Sequence, residues 1–475
     1  MSRLSEQVSI LTTEYNADNR SQMIANLISE FGVAEFLNKV NSLGDLTKEI
    51  AIFEESSAIR SKVKEIKRIA TYSGRMANGG VEKVVSSLIP IWMSMGYEVV
   101  LYTKEAPSAD DYPVPDGVER IVLPENMSFV EEMQFWSNTV IEKNIDVVIS
   151  HEWMSMQLLW DMLAVKLMGI PFIIHNHNYF AYLYDFSNDY VMNSHRIFSM
   201  ADAVLALSDT NNAFYNLVGC NSRTIQNPIE EKLFNVSVTD VKANNNFLYV
   251  GRLSAEKHVE DIIEAFSDIT EENDACTLTI VGSGTDEYEN KLKSIVSNKN
   301  LQGKVRFEGY HTDVSEYFKS ATALVMASEI EGYPTVVVEA FAHGVPIIMY
   351  ELPYLTMMQD KKGYRSVRQG DKKGLSGLMA ELTINRDLLE QLAIEARAVF
   401  EKYALTDIAE QWRDIFSHVE NGERFHYEPD VDTEKFVMRE LLDEIRYGSW
   451  NYYSHTNDYM LGQKIMNPMR KLLKK

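Results

Sequence analysis

The stretch ALVMASEIEGYPTVVVEAFAHGVPIIMY, residues 323–350, decides the fold of this chain. Its apolar run at 323–327 reads as a buried strand, 328–334 as a loop, 335–343 as a short helix and 345–350 as a second buried strand. That is a βαβ unit. Its loop and helix carry Glu331 and Glu339, carboxylates that a wholly buried packing segment rarely leaves unpaired. Glu331 precedes the helix, and Glu339 leans back toward the helix N-terminus because every Cα–Cβ bond tilts that way. Both are expected at the mouth formed by the carboxyl ends of the strands. The N–H groups of Tyr333 and Thr335, though not Pro334, and the positive end of the helix dipole suit phosphate oxygens there. Carboxylates for hydroxyls beside an amide nest for phosphate predict a sugar-nucleotide site.

Working outward, the same alternation extends in both directions. Strands are expected at 247–250, 277–281 and 305–309 before this unit, and helical pattern follows at about 372–417. Further upstream, strands are expected at 68–72, 97–103, 118–123, 146–150, 171–177, 201–207 and 222–226, with helices between. The polar segment 237–246 separates the two series and reads as a linker. The predicted architecture is α/β, with two Rossmann-like doubly wound domains facing across a cleft and helical extensions at both ends. Its predicted parts are a helical N-terminal extension (1–66), an N-terminal Rossmann-like acceptor domain (67–236), a C-terminal Rossmann-like nucleotide-sugar domain (237–400), a crossover helix (401–419) and a C-terminal extension (420–475).

With 475 residues the chain is long enough for several cores, and its formal charge of −23 argues against a nucleic-acid groove. Cys220 and Cys276 fall in different predicted domains, so a reducing, cytoplasmic setting is expected rather than a disulfide framework. The start, MSRLSEQVSILTTEY, lacks the apolar core of a signal peptide, and the apolar run 84–102 is interrupted by Pro90, Gly96 and Glu98. No membrane span is expected. The basic tip 469–475 suits anionic lipid at the inner face of the cell membrane, although a solvated charged tail is the preferred reading. Asp430-Val-Asp432 lacks a strand leading into it and reads as a polar linker rather than a metal motif. The added ends are expected to pack on one another, to oligomerise or to dock a partner.

Several further motifs carry chemistry. Gly251-Arg252-Leu-Ser-Ala-Glu-Lys257 closes the first strand of the second series, where glycine permits a tight turn and two cations stand beside one strand end. A departing diphosphate needs such cations. Val281-Gly282-Ser-Gly284 is a glycine turn that fails as a dinucleotide fingerprint because the third glycine is missing. Arg306-Phe307-Glu-Gly-Tyr310 forms another strand end, and Gly79-Gly80-Val-Glu-Lys opens a helix in the first series. His175 and His177 lie at the carboxyl end of a buried strand, on the same face by alternation, and His151 follows another strand.

Read together, Glu331-Gly332-Tyr333-Pro334-Thr335-Val-Val-Val-Glu339, Gly251-Arg252 with Lys257, and Gly79-Gly80 resemble the large retaining glycosyltransferase family with the E-x7-E segment and the GT-B fold, family 4-like and of bacterial surface-glycan type. The matches run in family order from about residue 67 to 414. The resemblance implies that Glu331 contacts the transferred sugar, Glu339 the ribose, and Arg252 and Lys257 the donor phosphates. It also implies backbone approach to the donor at Gly79, Gly80, Gly282, Gly284 and the 332–335 loop, base reading near Phe307, and a sugar contact from His177. His151 and His175 are read as structural. His258 stands where the family often has glycine, and Pro228 replaces the glycine of the N-G-[VI] turn.

The implied activity is retaining hexosyl or N-acetylhexosaminyl transfer from a nucleotide sugar, with UDP the preferred carrier although the residues leave uracil and guanine open. No cofactor beyond that donor is called for, and no metal-ligand cluster is legible. Residues 350–354 and 363–371 resemble segments of bacterial enzymes that decorate wall teichoic acid, capsule or surface glycoproteins, so a glycan, teichoic-acid, lipid-linked or glycoprotein acceptor is expected. A phosphorylase with lysine-bound pyridoxal phosphate and a nucleotide-sugar epimerase fit less well. A catalytically silent binding or chaperone subunit is expected to have lost the donor residues, and all are present.

Overall fold

The near-continuous Val, Ile and Leu runs of the first series form seven parallel strands, as expected of strands covered by helices on both faces. They are β1 (Arg68–Tyr72), β2 (Glu98–Thr103), β3 (Glu119–Val122), β4 (Val147–Ser150), β5 (Phe172–His175), β6 (Ala203–Ala206) and β7 (Ser222–Thr224), in the order β3-β2-β1-β4-β5-β6-β7. The second series gives a six-stranded parallel sheet of β8 (Asn246–Val250), β9 (Thr277–Val281), β10 (Val305–Gly309), β11 (Ala323–Met326), β12 (Ile347–Tyr350) and β13 (Tyr364–Val367), in the order β10-β9-β8-β11-β12-β13. Each is a Rossmann-like arrangement in which the strand order reverses beside the first strand. The computed structural model describes residues 3–11, 17–43, 52, 65–77, 79–152, 156–181, 194–236 and 245–442.

One compact unit comprises Met1–Ile225 and Ile408–Lys475, and the other Gln226–Asp407. The N-terminal segment supplies helices Arg3–Leu11, Ala17–Phe31 and Val33–Asn41. The last of these buries Val33, Phe36, Leu37 and Val40 and packs on helices Phe129–Glu142 and Met156–Leu167 of the first unit. Residues 401–419, read from sequence as one crossover helix, are divided between helix Arg386–Ala404 in the second unit and helix Ile408–Asn421 in the first. Trp412 on the latter meets Trp92 of helix Gly80–Ser94 edge to face, ring centroids 4.9 Å apart. The linker residues 237–244, the basic tip and most of the C-terminal extension lie outside the described residues. Asp430 caps a helix over 431–442, its Oδ2 accepting from Thr433 N at 2.8 Å. That accounts for the first carboxylate of the D-x-D. Among the described residues no helix is long and apolar enough to cross a membrane.

The first unit also encloses an acid. Asp161, on helix Met156–Leu167, is 1% exposed and accepts from Gln157 Nε2 at 2.9 Å. Burial, with the charge of Glu132 adding to it, holds its carboxyl well above the usual carboxylate range, while the hydrogen bond from Gln157 and the charge of Lys104 act the other way. Such a group binds its proton more tightly folded than unfolded. Stability therefore falls as pH rises from about 3.9, the unfolded value, toward the raised folded one. Asp161→Asn is expected to flatten that decline and to be more stable than wild type at pH 7. Thermal melts across the acid-to-neutral range check it, and a variant with lower stability at pH 7 and an unchanged slope contradicts it.

Candidate active site

In open parallel sheets ligands bind outside the carboxyl ends of strands where the strand order reverses. In the second unit that place lies between β8 and β11, which are hydrogen-bonded neighbours although their sequences are far apart. The loop after β8 carries Gly251, Arg252 and Lys257; the loop after β11 carries Glu331 to Pro334. Topology thus brings together residues that only a resemblance linked in the sequence.

Lys257 Nζ lies 2.6 Å from Glu331 Oε1, and both side chains are largely enclosed, 17% and 14% exposed. Ser328 Oγ donates to the same carboxylate oxygen at 2.7 Å, and Glu331 N donates to Tyr354 Oη at 2.9 Å. The Glu331 side chain and backbone are therefore both held. Arg252 has a different partner. Its guanidinium reaches Glu256 Oε1 at 3.0 Å while remaining 69% exposed, and Ser254 Oγ donates to that oxygen at 2.6 Å. A backbone hydrogen bond from Glu329 N to Glu256 O, 2.9 Å long, ties the two loops together. An exposed guanidinium beside an enclosed ammonium can meet an incoming anion with little rearrangement.

His258 ends the β8 loop in the left-handed region, φ 44° and ψ 44°, between the 3-10 turn Ala255–Lys257 and helix Val259–Glu272. That explains the family's glycine here, because a side chain in this region costs about 1–2 kcal/mol. The contact of its Nε2 with Glu329 at 3.5 Å is solvated and contributes little. His258→Gly is expected to raise stability by about 0.5–1 kcal/mol. A higher urea midpoint at unchanged slope confirms it; a lower midpoint removes the strain argument.

Gly282 and Gly284 serve the same loop from behind. Leu253 N donates to Ser283 O at 2.9 Å and Gly282 N to Gly309 O at 2.7 Å, so the ends of β8, β9 and β10 are laced by backbone bonds. A Cβ on Gly282 would overlap the carbonyl oxygen of Gly251, and one on Gly284 that of Leu253. Phe307 packs its ring on the core of this unit, at the strand end where the β10 register shifts. It is not drawn into the Lys257–Glu331 pair by any described contact.

Pro334 precedes helix Thr335–Ala342 and supplies no side-chain cap, so the first N–H groups of that helix lack a capping side chain. Gly332 and Tyr333 lead into it, and the Tyr333 hydroxyl is buried without a hydrogen-bond partner. Glu339, 7% exposed, sits inside this helix. Sequence reasoning missed Ser328, Tyr354 and Glu256, whose parts here depend on contacts between loops.

The first unit holds Gly79, Gly80 and His177. Gly79 is the N-cap of helix Gly80–Ser94, and a Cβ there would overlap the Glu82 carboxylate. That carboxylate also pairs with Arg75 Nε at 2.9 Å. A Cβ on Gly80 would meet nothing within 4 Å. His177 stands with His175, the last residue of β5, and His151, which directly follows β4. His151 Nδ1 is 3.1 Å from His177 Nε2, and the rings of His175 and His177 have centroids 4.2 Å apart. Burial pushes His177 down to about 3, and burial together with the neighbouring imidazoles holds His151 and His175 well below the usual histidine range. All three are neutral imidazoles at pH 7. The sequence showed no metal-ligand cluster, yet the fold brings His151, from the end of the neighbouring strand, to the His175 and His177 pair.

Comparison with known proteins agrees with this geometry. Residues 78–232 match the model described as Glycosyltransferase Family 4, and residues 232–399 the one described as Glycosyl transferases group 1. An uncharacterized glycosyltransferase of Haemophilus influenzae is 30% identical over 176 residues, 36% of this chain and 49% of that one. The poly(glycerol-phosphate) alpha-glucosyltransferase of Bacillus subtilis is 24% identical over 249 residues, covering 50% of this chain and 36% of that one. The matched segments thus span half or less of these relatives. Among solved structures, Anabaena HepE in complex with UDP and glucose has a TM-score of 0.62 at 17% identity, covering 74% of this chain and 99% of that one. Sucrose-phosphate synthase from Thermosynechococcus elongatus gives 0.62 at 18% identity, covering 75% and 100%. Residues 78–399 therefore carry the paired domains of GT-B glycosyltransferases, a family 4 domain followed by a group 1 domain.

Proposed function

We propose that this chain is a retaining glycosyltransferase that moves a hexosyl or N-acetylhexosaminyl group from a nucleotide-diphosphate sugar to a glycan, teichoic-acid, lipid-linked or protein acceptor. The observation that carries the reading is the Lys257–Glu331 pair at the carboxyl ends of β8 and β11, 2.6 Å long and largely enclosed. A sugar carboxylate partner and a phosphate cation are held in one contact there. The HepE complex with UDP and glucose supports UDP as the carrier, and the B. subtilis glucosyltransferase supports a surface-polymer acceptor. A nucleotide-sugar donor suits a cytoplasmic site of action.

In this mechanism Lys257 and Arg252 offset the charge that develops on the leaving diphosphate, with the N–H groups at the start of helix Thr335–Ala342 adding donors. Glu331 orients the sugar, and Glu339 accepts from the ribose. The acceptor hydroxyl attacks the anomeric carbon from the face that the diphosphate vacates, and a phosphate oxygen takes the hydroxyl proton. The glycosidic bond forms as the carbon–phosphate-oxygen bond breaks, so configuration is retained. Neutralisation by side-chain cations means the donor needs no metal of its own. Gly79 and Gly80 are assigned to donor approach and His177 to a contact with the transferred sugar.

Thermal-shift binding of a panel of UDP and GDP sugars, with transfer or hydrolysis followed for each hit, tests the reading. Stabilisation by one donor with turnover supports it and identifies the sugar. Failure of every nucleotide and nucleotide sugar to stabilise the folded chain overturns it and favours a silent binding subunit.

A further inference from the structure

The three histidines in the first unit pose a problem of hydrogen bonding. His151 and His175 are 5% and 1% exposed, and neither ring nitrogen of His175 has a hydrogen-bond partner. Leaving a buried polar atom unpaired costs on the order of 1–3 kcal/mol. A core histidine kept only for packing would be expected to use at least one nitrogen. Here an imidazole with two unengaged nitrogens stands beside two others, and one ring nitrogen of each lies within 4.8 Å of the rest.

The geometry points to a divalent transition-metal site, zinc by preference, built from His151, His175 and His177 at the carboxyl ends of β4 and β5. Imidazole nitrogens bind zinc at about 2.0–2.1 Å in a tetrahedral set, which places neighbouring nitrogens about 3.3 Å apart. His151 Nδ1 and His177 Nε2, at 3.1 Å, already have that spacing. The nitrogens of the set lie at most 4.8 Å apart, so His175 completes it by moving about 1.5 Å or less, within the reach of side-chain torsions.

The surroundings also suit a ligand set. His151 Nε2 lies 3.2 Å from Thr71 Oγ1, at the end of β1. With Nε2–H donating to that hydroxyl, Nδ1 presents its lone pair inward, the usual arrangement in which a second nitrogen fixes the orientation of a metal-bound imidazole. Without an ion, His177 Nε2–H then donates to His151 Nδ1, and binding a metal requires only that this proton move to His177 Nδ1. All three ligands bind as neutral imidazoles, so no proton need be lost. Three imidazoles without carboxylates select zinc and its first-row neighbours over magnesium or calcium. One coordination position is left for water or a substrate oxygen. The assignment is independent of the donor reading, which rests on side-chain cations in the second unit.

The test uses the full, tag-free chain, treated with chelator and then titrated with zinc against a chromophoric competitor, and in parallel with cobalt. We expect one equivalent bound, with visible cobalt bands of four-coordinate intensity and no thiolate charge-transfer band. His175→Ala is expected to weaken zinc about 100-fold or more, and Thr71→Val, a positioning change, about 10-fold. Circular dichroism establishes that each variant is folded. Should His175→Ala not fold, His151→Gln and His177→Gln carry the same expectation, and the wild-type cobalt spectrum stands by itself. Absence of binding at about 10 µM zinc in the folded wild type overturns the site, since structured three-histidine sites bind far more tightly. Binding unchanged in folded histidine variants, or a six-coordinate cobalt spectrum, overturns it equally.

Discussion

Lys257→Ala is expected to reduce glycosyl transfer by about 10²–10³-fold, the usual consequence of removing one donor that stabilises charge developing in the transition state. The ammonium has two tasks. It meets the leaving phosphate, and it pairs with Glu331 Oε1 at 2.6 Å, so its loss also releases the carboxylate that positions the sugar. Ser328 Oγ remains on that oxygen at 2.7 Å, which keeps Glu331 partly satisfied and the loop folded. The defect should therefore appear in kcat and not as a fall in thermal stability. Glu331→Gln separates the two tasks. It retains the hydrogen bond from Ser328 but removes the charge opposite Lys257. We expect it to impair transfer while leaving nucleotide binding by the diphosphate almost intact, whereas Lys257→Ala weakens both. Steady-state kinetics with donor varied, beside calorimetric titration of the free nucleotide diphosphate, distinguish these patterns. Lys257→Ala protein that keeps more than about a third of wild-type turnover would falsify the leaving-group role.

Gly282→Ala should be the most damaging single methyl group in the second unit. The glycine has φ +141°, where side chains are strained, and an added Cβ would overlap the Gly251 carbonyl oxygen and lie 2.9 Å from its carbon. Neither neighbour is a flexible side-chain end. Relief requires separating the β8 and β9 loops, which would stretch the bonds from Leu253 N to Ser283 O and from Gly282 N to Gly309 O. We expect a loss of about 3 kcal/mol or more, combining overpacking with backbone strain. Gly303→Ala provides the contrast. Its φ is +104° but a Cβ there meets nothing within 4 Å, so only the conformational cost of about 1 kcal/mol applies. Urea unfolding of both proteins, followed by a probe in the second unit, measures the difference. Equal losses would remove the steric argument and leave backbone conformation alone.

The alternation of strands and helices was legible because buried parallel strands must be apolar throughout. Runs such as Val147–Ser150 and Ile347–Tyr350 stand out against any helical period. β13 was not legible. Tyr364–Val367 is short, polar in part and half-buried along its length, as an edge strand can be. The E-x7-E segment and the Arg252 and Lys257 cations were visible in the sequence, but the direct contact of Lys257 with Glu331 was not, since it depends on β8 and β11 becoming neighbours. The supports of Glu331 illustrate the limit well. Ser328 and Tyr354 are ordinary loop residues in the sequence, and only the turn of the chain after β12 brings the Tyr354 hydroxyl to Glu331 N. The histidines were each noticed, but strand spacing alone placed only His175 and His177 on one face. His151 joins them because β4 and β5 lie side by side.

Helix Ile408–Asn421 belongs to the first unit although the whole second unit precedes it in the chain. During synthesis, the strands of the first sheet leave the ribosome long before the helix that covers Trp92. At 5–20 residues per second, the 182 residues of Gln226–Asp407 impose a delay of roughly 9–36 s. Throughout that interval Trp92, fully buried in the finished protein, waits without Trp412. The second unit is continuous and faces no such wait. The order of maturation is thus the reverse of the order of translation: the domain made later can finish first, and the nascent first domain is the one that presents an apolar face to chaperones.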